Sequence, residues 1–140
     1  MTRLARLLTL AAVTALPVAA LAAPAPIAGN WVTEDGVALV QVGQCGATLC
    51  GKVRKVLKPN PKFSQTDVNN PDKSKHAQPI VGLPVLSGFT ADDDVWRGQI
   101  YDPKSGKTYR SVVRRNADGT LKVEGCVGPF CKTQTWRPAR

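Results

Sequence analysis

The sequence predicts an all-β domain, a small antiparallel up-and-down β-barrel of about eight strands with one long Pro-rich loop. Three observations carry this expectation. Helical periodicity is nearly absent along the chain, and turn signals recur at short intervals instead. A meander of this kind must also hide its edge strands, and closing the sheet on itself does so at least cost. Length and composition agree: 140 residues allow one domain, and a hydrophobic content of 43% is enough for one ordinary core.

The elements follow in order. Ala28 to Thr33 opens as a first strand, and Glu34-Asp35-Gly36 supplies a tight turn. Val37 to Val42 is the second strand, Gly46-Ala47-Thr48-Leu49 a Cys-flanked connection, and Gly51 to Leu57 the third strand. Lys58 to Pro79 holds four prolines and no strand pattern, which marks a functional loop or a loosely tethered lid. Ile80 to Phe89 regains apolar character but is interrupted by Gly82-Leu83-Pro84, so an irregular or edge strand is expected. Asp92-Asp93-Asp94 turns the chain into Val95 to Tyr101. Asp102-Pro103-Lys104-Ser105-Gly106 is a hairpin turn in which Pro pre-sets φ and Gly takes the positive-φ position. Lys107 to Arg115, Thr120 to Val127 and Cys131 to Arg137 complete the set, joined by Asn116-Ala117-Asp118-Gly119 and Val127-Gly128-Pro129-Phe130.

Residues 1–22 read as a secretory signal peptide, leaving 23–140 as a single β-barrel domain. Arg3 and Arg6 form the positive start, Leu7 to Leu21 is apolar, and Ala20-Leu21-Ala22 offers small residues for cleavage. The apolar run is short for a membrane span and carries Pro17, and no other segment could span as a helix. The expected location is therefore periplasmic or secreted, an oxidising compartment. There, Cys45, Cys50, Cys126 and Cys131 read as disulfides. Four cysteines allow three pairings. Cross-strand geometry beside each short connection favours Cys45–Cys50 and Cys126–Cys131, with long-range bridges as the alternative. A zinc site lacks the CxxC spacings and supporting histidines it would need.

Trp31 near the start and Arg137 near the end support closure. If first and last strands pair, the guanidinium could lie over the indole as a cation–π lid on the closed end. Gly29-Asn30-Trp31 with a C-terminal Arg is similar to the lipocalin and calycin signature. More specifically, Gly29-x-Trp31, Cys45-Gly46-x-x-Leu49-Cys50-Gly51, Asn70-Pro71-Asp72, Ile100-Tyr101-Asp102-Pro103-x-x-Gly106-Lys107-x-Tyr109 and Thr133-Gln134-Thr135-Trp136-Arg137 carry a second likeness. Together they resemble a family of small secreted bacterial proteins catalogued as a domain of unknown function. That resemblance implies a calycin-like barrel in the cell envelope and no particular activity. Where such proteins often carry arginines after the Asn-Pro-Asp, this chain has Lys73, Lys75, His76 and Gln78, which hold an anion less firmly than a bidentate guanidinium.

Catalytic machinery is not expected. His76 is the one histidine and stands in the loop, without a Gly-x-Ser-x-Gly elbow anywhere in the chain. The acidic runs Asp67 to Asp72 and Asp92 to Asp94 lack the calcium-loop pattern and suit turn capping, so no metal or cofactor is expected. The formal charge of +9 falls to +7 on loss of Arg3 and Arg6, so the basic excess survives processing. In the envelope its acidic partners are lipid headgroups and anionic polymers, with nucleic acid excluded by compartment. The expectation is a monomeric, non-enzymatic protein that takes a small apolar or amphipathic ligand in the barrel mouth, against Phe63, Phe89 and Trp96. The alternative is a filled barrel that docks on anionic envelope components through its basic surface.

Overall fold

The computed structural model describes residues 11–20 and 22–140. The expected signal peptide falls partly outside the described residues; residues 11–20 run exposed and without regular structure. Eight strands follow in chain order: β1 (Gly29–Val32), β2 (Ala38–Cys45), β3 (Thr48–Val56), β4 (Pro84–Asp92), β5 (Val95–Asp102), β6 (Lys107–Arg115), β7 (Leu121–Val127) and β8 (Phe130–Pro138). Each pairs antiparallel with the next, and β8 returns to β1, so the sheet is a closed barrel, as the sequence predicts. The seam is narrow: Trp31 faces Pro138, Val32 faces Arg137, and the Ala139 N–H donates to the Asn30 carbonyl at 2.9 Å.

Period-two alternation sets the two faces of the wall. Trp31, Val40, Val42, Val53, Val113, Leu121, Val123 and Trp136 point inward and are buried. Between them Lys52, Arg54, Arg97, Arg114 and Lys122 are exposed, so the outer wall is charged and lacks the apolar band of a lipid-spanning barrel.

Two local expectations change. The connections after β2 and β7 are two residues long, because Gly46 and Gly128 take the positive φ (65° and 55°) that such a turn needs. Cys126 then faces Cys131 directly, while Cys50 faces Gly43; both disulfides are local, Cys45–Cys50 and Cys126–Cys131. The segment after the long loop is no edge strand. Pro84 starts β4, where a missing N–H is tolerated, and β4 then runs between β3 and β5 with a register shift between Ser87 and Thr90.

Up-and-down order sends alternate connections to opposite ends. Residues 33–37, 57–83, 103–106 and 128–129 gather at one, the loop end. Residues 46–47, 93–94 and 116–120 lie at the other, which residues 24–27 cross as a strap. Ile27 is buried there, and three backbone carbonyls of the strap are held. Trp96 Nε1 donates to Ala25, Arg115 to Pro26 and Trp31 Nε1 to Ile27.

The barrel's waist is full of its own side chains. A Cβ placed on Gly98 would lie 2.6 Å from the Phe89 ring, and one on Gly51 3.1 Å from both Leu86 and Val40. At these points not even a methyl group fits beside the core, which is the density expected of a packed interior.

Candidate ligand-binding site

The loop end is covered by residues 57–83, but not by a loosely tethered lid. Asp67 is fully buried and makes three hydrogen bonds: its own N–H donates to the Gln78 carbonyl, while its carboxylate accepts from Tyr101 Oη at Oδ1 (2.7 Å) and from Asn70 Nδ2 at Oδ2 (2.8 Å). Of these, the last two satisfy the carboxylate and the first ties the loop's two arms together. Asn69 Nδ2 donates to the carbonyls of Pro103 and Lys104, both at 3.1 Å, clamping the loop to the β5–β6 turn. His76, the one histidine, has its Nε2 at 2.7 Å from the Asn70 carbonyl and serves the loop's own geometry. Asp72 caps the short 3-10 turn Lys73–Lys75 by accepting from the Ser74 N–H.

Tyr101 reports on this anchor. Burial, then the hydrogen bond and charge of Asp67, push its hydroxyl up from 10.0 to about 12. The raised value means the folded state holds the proton more tightly. This contribution is fully present below the ordinary tyrosine pKa and is lost as pH rises through about 12. Tyr101→Phe is expected to cost roughly 1–3 kcal/mol, because a buried carboxylate loses a donor. Denaturant midpoints of both proteins across the alkaline range check this; the gap between them should narrow as pH rises.

The three expected ligand contacts are not brought together. Phe89, 1% exposed, belongs to the core, and with Trp96, Leu49 and Ala91 it borders a shallow cleft of about 240 Å³ at the strap end. Phe63 lies at the loop end, where the Lys104 ammonium sits 4.7 Å above its ring. The closure pair also changes. The guanidinium over Trp31 belongs to Arg115, at 5.6 Å, and not to Arg137. Alternation is the reason: Trp136 points inward, so its neighbour Arg137 must point outward. Glu124, Cys126 and Cys131 also converge within 4.8 Å, but both sulfurs are spent in the disulfide.

Arg137 has a different setting. Residues paired across strands share a face, so Arg137, Val32, Leu39 and Lys55 form one row across the outer surface of β8, β1, β2 and β3. Leu57 and the terminal stretch Pro138 to Arg140 wall this row into a half-open groove of about 600 Å³. Its floor is apolar, its rim carries Lys55, Arg137 and Arg140, and no Asp or Glu side chain lines it. Arg137, singled out from the sequence, stands opposite Val32 at the closing seam; Val32, Leu39, Lys55 and Leu57 were missed. Only the strand register, which the sequence leaves open, lines them up.

A closed eight-stranded meander with a strap tucked against an inward tryptophan at one end is the architecture of the lipocalin-like proteins. The chain belongs to the family described as "Uncharacterized protein conserved in bacteria (DUF2147)", which matches residues 29–137. Among solved structures it is similar to protein HP1028 from the human pathogen Helicobacter pylori, described as belonging to the lipocalin family. The TM-score is 0.71 at 18% sequence identity, over 82% of this chain and 84% of that one. At that identity the likeness establishes the fold. No curated protein matches the chain.

Proposed function

We propose that the protein is a non-enzymatic, extracytoplasmic binding protein that holds a small amphipathic anion, an apolar chain with an acidic head, in the groove on its outer wall. The observation that carries this reading is the coincidence of an apolar floor (Val32, Leu39, Leu57) with a cationic rim free of side-chain carboxylates (Lys55, Arg137, Arg140). Apolar burial supplies affinity, and the cations fix the orientation of the head group. The filled waist argues for this outer site over the barrel mouth expected from the sequence. Two disulfides suit the oxidising compartment implied by the N-terminal leader.

Calorimetric titration with laurate is the direct test. Binding is expected for the unmodified protein, and Arg137→Glu should weaken it by roughly tenfold or more, since attraction becomes repulsion at the rim. Arg137 is exposed, so folding should be unaffected. Equal affinity in both proteins would remove the groove as the site. Native mass spectrometry of protein from a periplasmic extract would give the cargo class, as an extra mass that leaves on denaturation.

A second reading, a filled barrel docking on anionic envelope components through its basic surface, is favoured by the lysines collected at the loop end. Lys58, Lys62, Lys73, Lys75 and Lys104 all lie on connections there. Envelope association that falls steeply with salt is its expected signature.

A further inference from the structure

We infer that the tip of the β7–β8 hairpin is a finger that enters an anionic lipid bilayer and seats the barrel on it, loop end down. The inference rests on the second reading above and names its docking element and its partner. Val127 and Phe130 face each other across the two-residue turn and are 65% and 81% exposed. By alternation from Leu121 and Val123 they belong to the interior-facing side, yet the hairpin carries them beyond the packed core. Large apolar side chains held in water mark an interaction surface when they gather in one place.

They do gather. Outside the leader, the other large apolar side chains that are exposed are Leu57, Phe63, Val68 and Val81, and all belong to residues 57–83 at the same end. The tip itself is stiff. The Cys126–Cys131 disulfide closes it directly behind Val127 and Phe130, and the Arg110 guanidinium donates to the Gly128 carbonyl at 2.6 Å. A rigid finger loses little conformational freedom on insertion.

Charge selects the partner. The loop-end connections carry the five lysines named above, with Lys132 and Arg110 beside the finger. The carboxylates at this end are engaged: Asp35 with Lys104, Glu34 with the Thr135 N–H, Asp67 inside the loop, Asp72 at its 3-10 turn and Asp102 with the Lys104 N–H and the Ser105 hydroxyl. The strap-end turns carry Asp93, Asp94 and Asp118, and the cations on the strands beside them are spent locally: Arg114 on Asp94, Arg97 on Asp92 and Arg115 on the strap. A barrel polarised in this way turns its loop end toward a negative surface, and the apolar finger then meets lipid and not a merely charged polymer.

Flotation of the purified secreted chain with phosphatidylglycerol–phosphatidylethanolamine vesicles, compared with phosphatidylcholine vesicles, tests this. Wild type should float with the anionic vesicles only, and Phe130→Ser should reduce the partition coefficient by roughly tenfold. Because Phe130 is exposed, an unchanged near-ultraviolet dichroism spectrum checks that the variant is folded. Phe130→Trp should show blue-shifted emission on the anionic vesicles, since Trp31 and Trp136 are already buried and the half-buried Trp96 lies at the opposite, strap end. If Phe130→Ser floats as well as wild type, docking is by charge alone: the finger is overturned and the basic-surface reading stands. If wild type floats with neither vesicle, the finger is overturned, and salt-dependent association with an anionic polymer decides the basic-surface reading by itself. Equal flotation with both vesicles overturns the charge selection.

Discussion

Replacing Gly106 with alanine is expected to unseat the 57–83 loop from the barrel. Gly106 has a φ of 69°, and a Cβ there would fall 1.8 Å from the Asn69 carbonyl oxygen. The obstacle is backbone, so no side chain can swing aside. The left-handed conformation costs alanine about 1–2 kcal/mol, and overpacking adds roughly 1–3 kcal/mol. Because the loop can undock while the strands stay paired, the damage should be local. Amide exchange should accelerate across residues 65–80 and remain slow in the strands. Asn69→Ala removes the same clamp without the clash, and should reproduce the exchange pattern at a smaller loss of stability. Unchanged exchange in both variants would mean that the loop is not held through this turn.

Trp31→Ala should be among the most destabilising single changes in the chain, at about 3–5 kcal/mol. The indole is 2% exposed, its Nε1 holds the Ile27 carbonyl at 2.9 Å, and Arg115 lies over its ring. Its loss empties the strap end and releases Ile27 at once. Against a total stability of about 5–15 kcal/mol, that is a large share. Trp31→Phe separates the two contributions. It keeps most of the ring but leaves the strap carbonyl without its donor, and should cost roughly 1–3 kcal/mol. Urea denaturation midpoints rank the three proteins; a phenylalanine variant as weak as the alanine one would assign the effect to the hydrogen bond and not to packing.

The strands, their closure and the family were legible in the sequence because each rests on local signals: turn residues, alternating faces and motifs that stand at fixed spacings. Trp31 and Trp136 do point inward, and that same alternation already places Arg137 outside and Arg115, in line with Ser111 and Val113, on the inner side at a strand end. The cation that caps the indole could therefore have been read from the pattern. Counting chain reversals would likewise have separated Phe63 from Phe89 and Trp96. Other features were out of reach. Asp67 and Asn69 look like ordinary turn formers until their partners appear 34 residues downstream, at Tyr101 and Pro103. The groove depends on the lateral register of β8, β1, β2 and β3, and on a shift between Leu39 and Val40 that nothing local announces.

The narrow seam between β1 and β8 also orders events in time. Seven of the eight strand pairings join neighbours in the chain, and most need only a short turn to form. The eighth joins residues near opposite ends of the domain and is made of just two facing pairs. Loop closure makes such a contact late in folding, when the hairpins already stand side by side. A chain made N-terminus first therefore waits, with β1 unzipped on one side, until Trp136 and Arg137 arrive. During that interval the free edge of β1 is an unpaired strand edge, open to pairing with another chain.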